Sequence, residues 1–313
     1  MAECGTDIQT AAQFLREGNC VAIPTETVYG LAANAFNEKA VSDIFRIKNR
    51  PEFDPLIVHT GSIDSARLLV REIPPIAEEL MRKFWPGPLT LVLPKSTRIP
   101  DAVSSGLQTV GIRIPDHPLT LELLNILEFP LAAPSANPFG YVSPTRAEHV
   151  ATTLGNAIPY ILDGGDCSRG IESTIVGFES GKPVLYRYGS LSVQEIEELT
   201  GPLEIRINQS SNPVAPGQVK VHYSPHKPVR TGNPIAGKKA GMIRFKEYAA
   251  DYDTSFQKIL SPEGDLYIAA RRLYGFLRDW DDSDVDEILV EWVPEGGIGN
   301  AINDRLRRAC AKG

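Results

Sequence analysis

V-A-I-P-T-E-T-V-Y-G (21–30) and, further on, K-N-R-P-E-F-D-P-L-I-V-H (48–59) decide how this chain is read. The apolar triplet Val21-Ala22-Ile23 predicts a buried strand, and two threonine hydroxyls and a tyrosine follow directly at its end. Between the two stretches, Glu38–Lys48 carries a helical period through Val41, Ile44 and Phe45, which places its basic end at a helix C-terminus. Leu56–Val58 reads as a short buried strand closed by His59. Packing alone does not call for this density of polar residues at element ends, so chemistry is sought here first.

Working outward, residues 6–18 read as a helix with Ile8, Ala11, Ala12 and Leu15 on one face, stopped by Gly18-Asn19. Helices are expected at 76–84, 118–127, 145–154 and 192–199. Strands are expected at 90–93, 110–114, 131–133, 158–162, 173–178 and 184–187. Several strands follow one another with no helix between, which favours a mixed α/β sheet over a purely parallel one. Pro, Gly, Ser and Asn then dominate residues 201–235, a composition that cannot sustain a helix. Beyond it, strand 240–245, helix 266–280, strand 287–293 and helix 300–311 form a second, smaller α/β unit. The division expected is a first domain at 1–203, a linker at 204–235 and a second domain at 236–313.

The chain has 313 residues, 42% of them hydrophobic and 23% charged, the balance of a globular protein with material for a core. No apolar run approaches the ~18 residues that would span a bilayer, and the N-terminal M-A-E-C-G-T-D has no signal-peptide pattern, so a cytoplasmic protein is expected. Cys4, Cys20, Cys167 and Cys310 lie far apart, without the paired spacing of a zinc site or a disulfide framework. A net charge of −7 argues against a protein coated in positive charge for nucleic acid, though not against a local basic cleft.

Familiar nucleotide signatures are missing. G-D-C-S-R-G-I-E-S (165–173) lacks the lysine of a phosphate-binding loop, and G-I-G-N-A-I (297–302) has no following strand to supply a ribose-binding acid. His222 and His226 are four apart, but Pro225 breaks the helix that would align them on a metal. The cations are more informative. Lys48, Arg50, Arg113 in T-V-G-I-R-I-P and Arg187 in L-Y-R-Y-G fall at or near element ends. An arginine among apolar strand residues requires a partner, and guanidinium forks suit carboxylates and phosphates. Internal salt bridges explain any one of them; the four together favour an anion-reading surface. Two proline-framed turns add hydroxyls and amides, A-P-S-A-N-P-F-G (133–140) with Ser135 and Asn137 and V-S-P-T (142–145) with Ser143 and Thr145, and G-I-E-S-T-I-V (170–176) puts Ser173 and Thr174 at the start of a buried strand. Beside an arginine-lined sheet they describe a site for a nucleotide and a small polar substrate.

In this order, P-T-E-T-V-Y-G, K-x-R-P-x-x-x-P-L-I-V-H, T-V-G-I-R-I-P, A-P-S-A-N, S-P-T, E-S-T-I-V and R-Y-G resemble the two-domain form of the L-threonylcarbamoyladenylate synthases over nearly the whole chain. The resemblance implies a YrdC-like twisted sheet of mixed parallel and antiparallel strands with flanking helices, plus a small Rossmann-like α/β C-terminal domain. It implies a nucleotidyltransferase that joins L-threonine, bicarbonate and ATP into threonylcarbamoyl-AMP with release of pyrophosphate. Magnesium would accompany the ATP, and tRNA or tRNA-modification enzymes would be partners. By motif, Thr27, His59, Arg113, Ala133 and Ser173 would hold threonine. Arg50, Asp54, Thr109, Ser135, Ser143, Arg187 and Tyr223 would hold ATP, with Lys48 and Asn137 nearby. A-P-G-Q-V-K-V-H-Y-S-P (215–225) would make the linker a lid, Tyr223 reaching over the nucleotide. Asp54 stands where the family commonly has asparagine. Two rivals are an RNA-binding module with a concave basic face and the carbamoyltransferase of hydrogenase maturation. The latter shares the catalytic fold but would bring zinc-finger cysteine pairs.

Overall fold

The computed structural model describes residues 1–207 and 223–311. Its strands are β1 (Glu3–Gly5), β2 (Val21–Ile23), β3 (Gly30–Asn34), β4 (Ile57–His59), β5 (Leu89–Pro94), β6 (Thr109–Arg113), β7 (Leu131–Ala132) and β8 (Tyr160–Leu162). They continue with β9 (Thr174–Glu179), β10 (Lys182–Arg187), β11 (Glu204–Ile205), β12 (Val229–Arg230), β13 (Ala240–Arg244), β14 (Gln257–Ile259) and β15 (Glu287–Val290). The helices are α1 (Ile8–Arg16), α2 (Glu38–Lys48), α3 (Ile63–Arg67), α4 (Pro75–Phe84), α5 (Asp101–Ser104), α6 (Pro118–Ile126), α7 (Ala147–Leu154), α8 (Val193–Thr200), α9 (Leu266–Asp281) and α10 (Gly299–Cys310).

β1 to β11 form one sheet in the order β1-β8-β2-β3-β7-β4-β6-β5-β9-β10-β11. Its pairings are mixed: β4 runs parallel to β6 and β5 to β9, while β2–β3, β4–β7, β5–β6 and β9–β10 are antiparallel. This is the mixed α/β sheet the sequence predicts. β3 was not anticipated, because G-L-A-A-N has little strand propensity. Tertiary packing explains it. Leu31 and Ala33 join the core with Val41 and Ile44 of α2, while Ala32 points the other way into the cluster of Ala11, Ala12 and Leu15 from α1. A strand covered by helices on both faces gains from small residues that let those helices approach.

α1 is capped by Asp7, whose carboxylate accepts from the Gln9 and Thr10 N–H groups. α2 ends on Asn49 in the left-handed conformation (φ 50°), its N–H returning to the carbonyls of Phe45 and Arg46. That cap reverses the chain and sets the direction in which Arg50 leaves the helix.

The second sheet, β12-β15-β13-β14, is wholly parallel. α9 and α10 bury Ala269, Leu273, Leu277, Ile302 and Leu306 against Ile243, Ile288 and Val290. The same apolar cluster includes Val28, Val142 and Ile171 of the first unit, so the two units share a continuous core. Segment 204–235, expected as linker, carries β11 at the edge of the first sheet and β12 at the edge of the second; residues 208–222, including His222, lie outside the described part. Among the described residues no helix is long and apolar enough to cross a membrane.

Candidate functional site

A cleft of about 590 Å³, open solvent included, lies where several strand ends of the first sheet meet the second unit. The turn after β2 supplies Thr25, Thr27 and Val28; β4 supplies Ile57 and His59; β6 ends in Arg113; and the turn after β7 supplies Ala133, Pro134 and Ser135. Glu172 and Ser173 enter at the start of β9, Arg187 at the end of β10, Arg50 after α2, and Tyr223 just before β12. Gly30 is needed where β3 passes this turn: a Cβ there would stand 3.3 Å from the Ala133 Cβ.

Thr27 is fixed by its neighbours. The Thr25 hydroxyl donates to the Val28 carbonyl at 2.6 Å and stands 2.8 Å from the Thr27 hydroxyl, which therefore donates to it. Thr27 Oγ1 in turn accepts from Arg113 Nη1 at 2.9 Å. Arg113 also donates through Nε to the Gly87 carbonyl at 3.1 Å and pairs with Glu26 at 2.6 Å, both side chains 4% exposed. His59 sits opposite Arg113 in the β4–β6 register. Burial, helped by the Arg113 charge, lowers its pKa to about 3, so the imidazole is neutral.

On the other side, Arg50 donates to the carbonyls of Asp54 and Pro55 at 3.0 and 2.9 Å and pairs with the Asp54 carboxylate at 2.8 Å. Arg187 donates to the Ser173 carbonyl at 2.9 Å and to its hydroxyl at 3.0 Å. The Ser173 hydroxyl also stands 2.7 Å from that of Thr90. The Tyr223 ring, buried and with φ 63°, stacks on Tyr274 at 5.8 Å and lies 4.9 Å from the Arg305 guanidinium.

Of the residues the sequence put forward, Thr27, His59, Arg113, Ala133, Ser173, Arg50, Ser135, Arg187 and Tyr223 all line this one cleft. Asp54, Thr109 and Ser143 do not line it. Asp54 is fully buried behind Arg50 and acts on that guanidinium. Ser143 is buried and donates to Glu172 at 2.6 Å. Thr109 opens β6, four residues from Arg113, which is about 13 Å along an extended strand. Lys48 is likewise structural: its ammonium, buried under the 133–137 turn, donates to the carbonyls of Ser135 (2.5 Å) and Asn137. The alternative of internal salt bridges thus holds for Arg50 and Arg113, which nevertheless line the cleft as well. Sequence reasoning gave Thr25 no role and missed Glu26 and Glu172. The signal for Glu172 was a carboxylate leading directly into a buried strand, where it needs partners. The lining arginines are only 8%, 4% and 5% exposed at 50, 113 and 187, an enclosed site and not the open basic face an RNA-binding module would present.

Comparison with known proteins also finds two parts, with a boundary near residue 190. Residues 13–189 match the family model described as "Telomere recombination" (Sua5, YciO and YrdC), and 191–311 match the C-terminal domain of threonylcarbamoyl-AMP synthase. The chain is 43% identical to the threonylcarbamoyl-AMP synthase of Pyrococcus abyssi, over 96% of this chain and 93% of that one. To the Bacillus subtilis protein of the same name it is 41% identical, over 97% and 92%. A structure of P. abyssi Sua5 complexed with L-threonine superposes with a TM-score of 0.90 at 42% identity, over 97% of this chain and 94% of that one. The enclosed arginine cleft, the mixed sheet that builds it and the parallel C-terminal sheet therefore have one reading: the chain belongs to the threonylcarbamoyl-AMP synthase family, in its two-domain form.

Proposed function

We propose that this enzyme makes threonylcarbamoyl-AMP from L-threonine, bicarbonate and ATP, releasing pyrophosphate, and that its product feeds threonylcarbamoylation of tRNA adenosine. The observation that carries the reading is the convergence of Arg50, Arg113 and Arg187 with Thr27, His59 and Ser173 in a single cleft. In this reading Arg113 binds the threonine carboxylate, one guanidinium edge being tied to Glu26 and the Gly87 carbonyl. Thr27, neutral His59 and Ser173 then serve the amine, the hydroxyl and the carbamate. Arg50, Ser135, Arg187 and Tyr223 take the nucleotide, with Asp54 and Ser143 acting behind them.

The chemistry needs no protein nucleophile. The threonine amine condenses with bicarbonate to a carbamate with loss of water. A carbamate oxygen then forms a bond to the α-phosphorus of ATP as the bond to pyrophosphate breaks. Holding the reactants in line can lower such a barrier by about 7–11 kcal/mol in the best-oriented cases, and fixed guanidinium groups stabilise the charge that develops. Among the described residues no group of three or more His, Cys, Asp or Glu gathers to hold a metal. Glu26 and Glu172 at the cleft are already paired with Arg113 and Arg305. Magnesium, which would neutralise phosphate charge, therefore fits as an ion that arrives on the triphosphate with few or no protein ligands.

The test is pyrophosphate release from ATP with threonine and bicarbonate each left out in turn. Release that requires both is expected. Release that proceeds without threonine rejects the assignment.

A further inference from the structure

Glu172 is the point where the second domain reaches the cleft. Its carboxylate accepts from the Ser143 hydroxyl at 2.6 Å, from the Tyr274 hydroxyl at 2.9 Å and from Arg305 Nε at 2.9 Å. Tyr274 belongs to α9 and Arg305 to α10. Arg305 is 1% exposed and is further fixed by Asp304 at 2.7 Å and by the Tyr188 carbonyl at 2.9 Å. The same two side chains bracket the Tyr223 ring.

This geometry has an electrostatic consequence. A carboxylate on the wall of a polyphosphate site repels the ligand, and it competes for any guanidinium nearby. Glu172 precedes Ser173, to which Arg187 donates, so an uncompensated Glu172 would draw Arg187 toward itself. Burial opposes its ionised form most strongly, yet Arg305, Arg187 and the Ser143 hydroxyl together hold the carboxyl at about 2. It is ionised at neutral pH and depends on its partners.

We propose that Arg305 is a positioning residue of the ATP site: from the second domain it neutralises Glu172, leaves Arg187 directed at the nucleotide and, with Tyr274, holds the Tyr223 ring in the cleft wall. The inference rests on the assignment of this cleft to ATP. It gives the C-terminal domain a defined task in nucleotide binding.

The test uses the full chain and steady-state pyrophosphate release. Arg305→Met is expected to raise the KM for ATP by about tenfold or more, the scale of losing one charge-assisted contact. The KM for threonine at saturating ATP should stay within about twofold. Glu172→Gln combined with Arg305→Met removes both charges and should bring the ATP KM back to within about threefold of wild type. Tyr274→Phe, which keeps the stacked ring and loses one donor, serves if Arg305→Met does not fold; it should raise the ATP KM by about threefold. A merely structural Arg305 would lower the melting temperature and leave the ATP KM unchanged. That result, or a double variant as impaired as the single one, overturns the proposal. Failure of the underlying reading looks different: wild-type enzyme would then show no threonine-dependent turnover at all.

Discussion

Two buried histidines make the fold sensitive to mild acid, by an amount that follows from their surroundings. His59 is 4% exposed and faces Arg113; His149 is 8% exposed, beside Arg278 and Arg146, with Asp279 the opposing charge. Burial foremost, then those guanidinium groups, lowers both to about 3. His149 Nδ1 accepts the Thr145 N–H at 3.2 Å, which the neutral ring alone can do. An unfolded histidine titrates near about 6.5. Between these values the unfolded chain binds two protons that the folded chain does not, so stability is complete above the unfolded value and is lost as pH falls. Each group contributes a slope of at most ~1.36 kcal/mol per pH unit. From pH 6.5 to pH 5 the pair should remove about 3 kcal/mol, a large share of an ordinary stability of ~5–15 kcal/mol. Glu172, held at about 2, adds nothing until lower pH. The assay is chemical unfolding at steps between pH 6.5 and pH 5, for wild type and for His149→Asn, whose amide oxygen can accept the Thr145 N–H without titrating. The variant should show about half the slope. A stability flat across this window, or an unchanged slope in the variant, refutes the account of both rings as buried and neutral.

Two further outcomes concern the walls of the cleft. Lys48→Met leaves the Ser135 and Asn137 carbonyls buried without their donor. Offset by relief of a buried ammonium, the net loss should be about 2 kcal/mol, read as a lower melting temperature together with a raised ATP KM from the loosened Ser135 turn. Gly189→Ala places a Cβ 2.2 Å from the Thr174 N and 2.3 Å from the Ser173 carbonyl carbon. Backbone cannot yield as a side chain does, so a loss above about 3 kcal/mol and a collapse of turnover are expected. Wild-type melting and kinetics in this variant would show that the 187–189 turn is not packed against the start of β9.

What was legible in the sequence was whatever local pattern controls. Glu38–Lys48 declared its helix by period, and P-T-E-T-V-Y-G declared a site by polar residues that packing does not need. The role of Lys48 was misjudged for a physical reason: a cation at a helix end reads alike whether it meets a ligand or, as here, two backbone carbonyls of a turn ninety residues on. Asp54 was set among the nucleotide contacts by its place in K-x-R-P-x-x-x-P-L-I-V-H; its carboxylate, four residues after Arg50, folds back onto that arginine. Arg305 was beyond reach. Its partner Glu172 is 133 positions away on another domain, and nothing near residue 305 in the sequence announces a charge waiting to be balanced.

The balance of charge in the cleft leads to a last expectation. Arg50, Arg113 and Arg187 line it; Asp54 at 2.8 Å balances the first and Glu26 at 2.6 Å the second, while Glu172, which Arg187 also feels, is balanced by Arg305 at 2.9 Å. Such pairing is what makes three guanidinium groups tolerable at 8% exposure or less, since an unpaired buried charge would cost several kcal/mol. It also means that the cleft keeps little more than the single charge of Arg187 before ATP enters. A bare triphosphate therefore meets little net positive charge, however many arginines surround it. Divalent cations bound to its oxygens would remove the excess, so affinity for ATP should fall by about tenfold or more when magnesium is replaced by a chelator, a change of ~1.4 kcal/mol or more. Calorimetric titration with ATP in magnesium and in chelator reads this directly. Equal affinities would mean that the three arginines act as unbalanced charges, and that the carboxylates behind them do not determine what the site can bind.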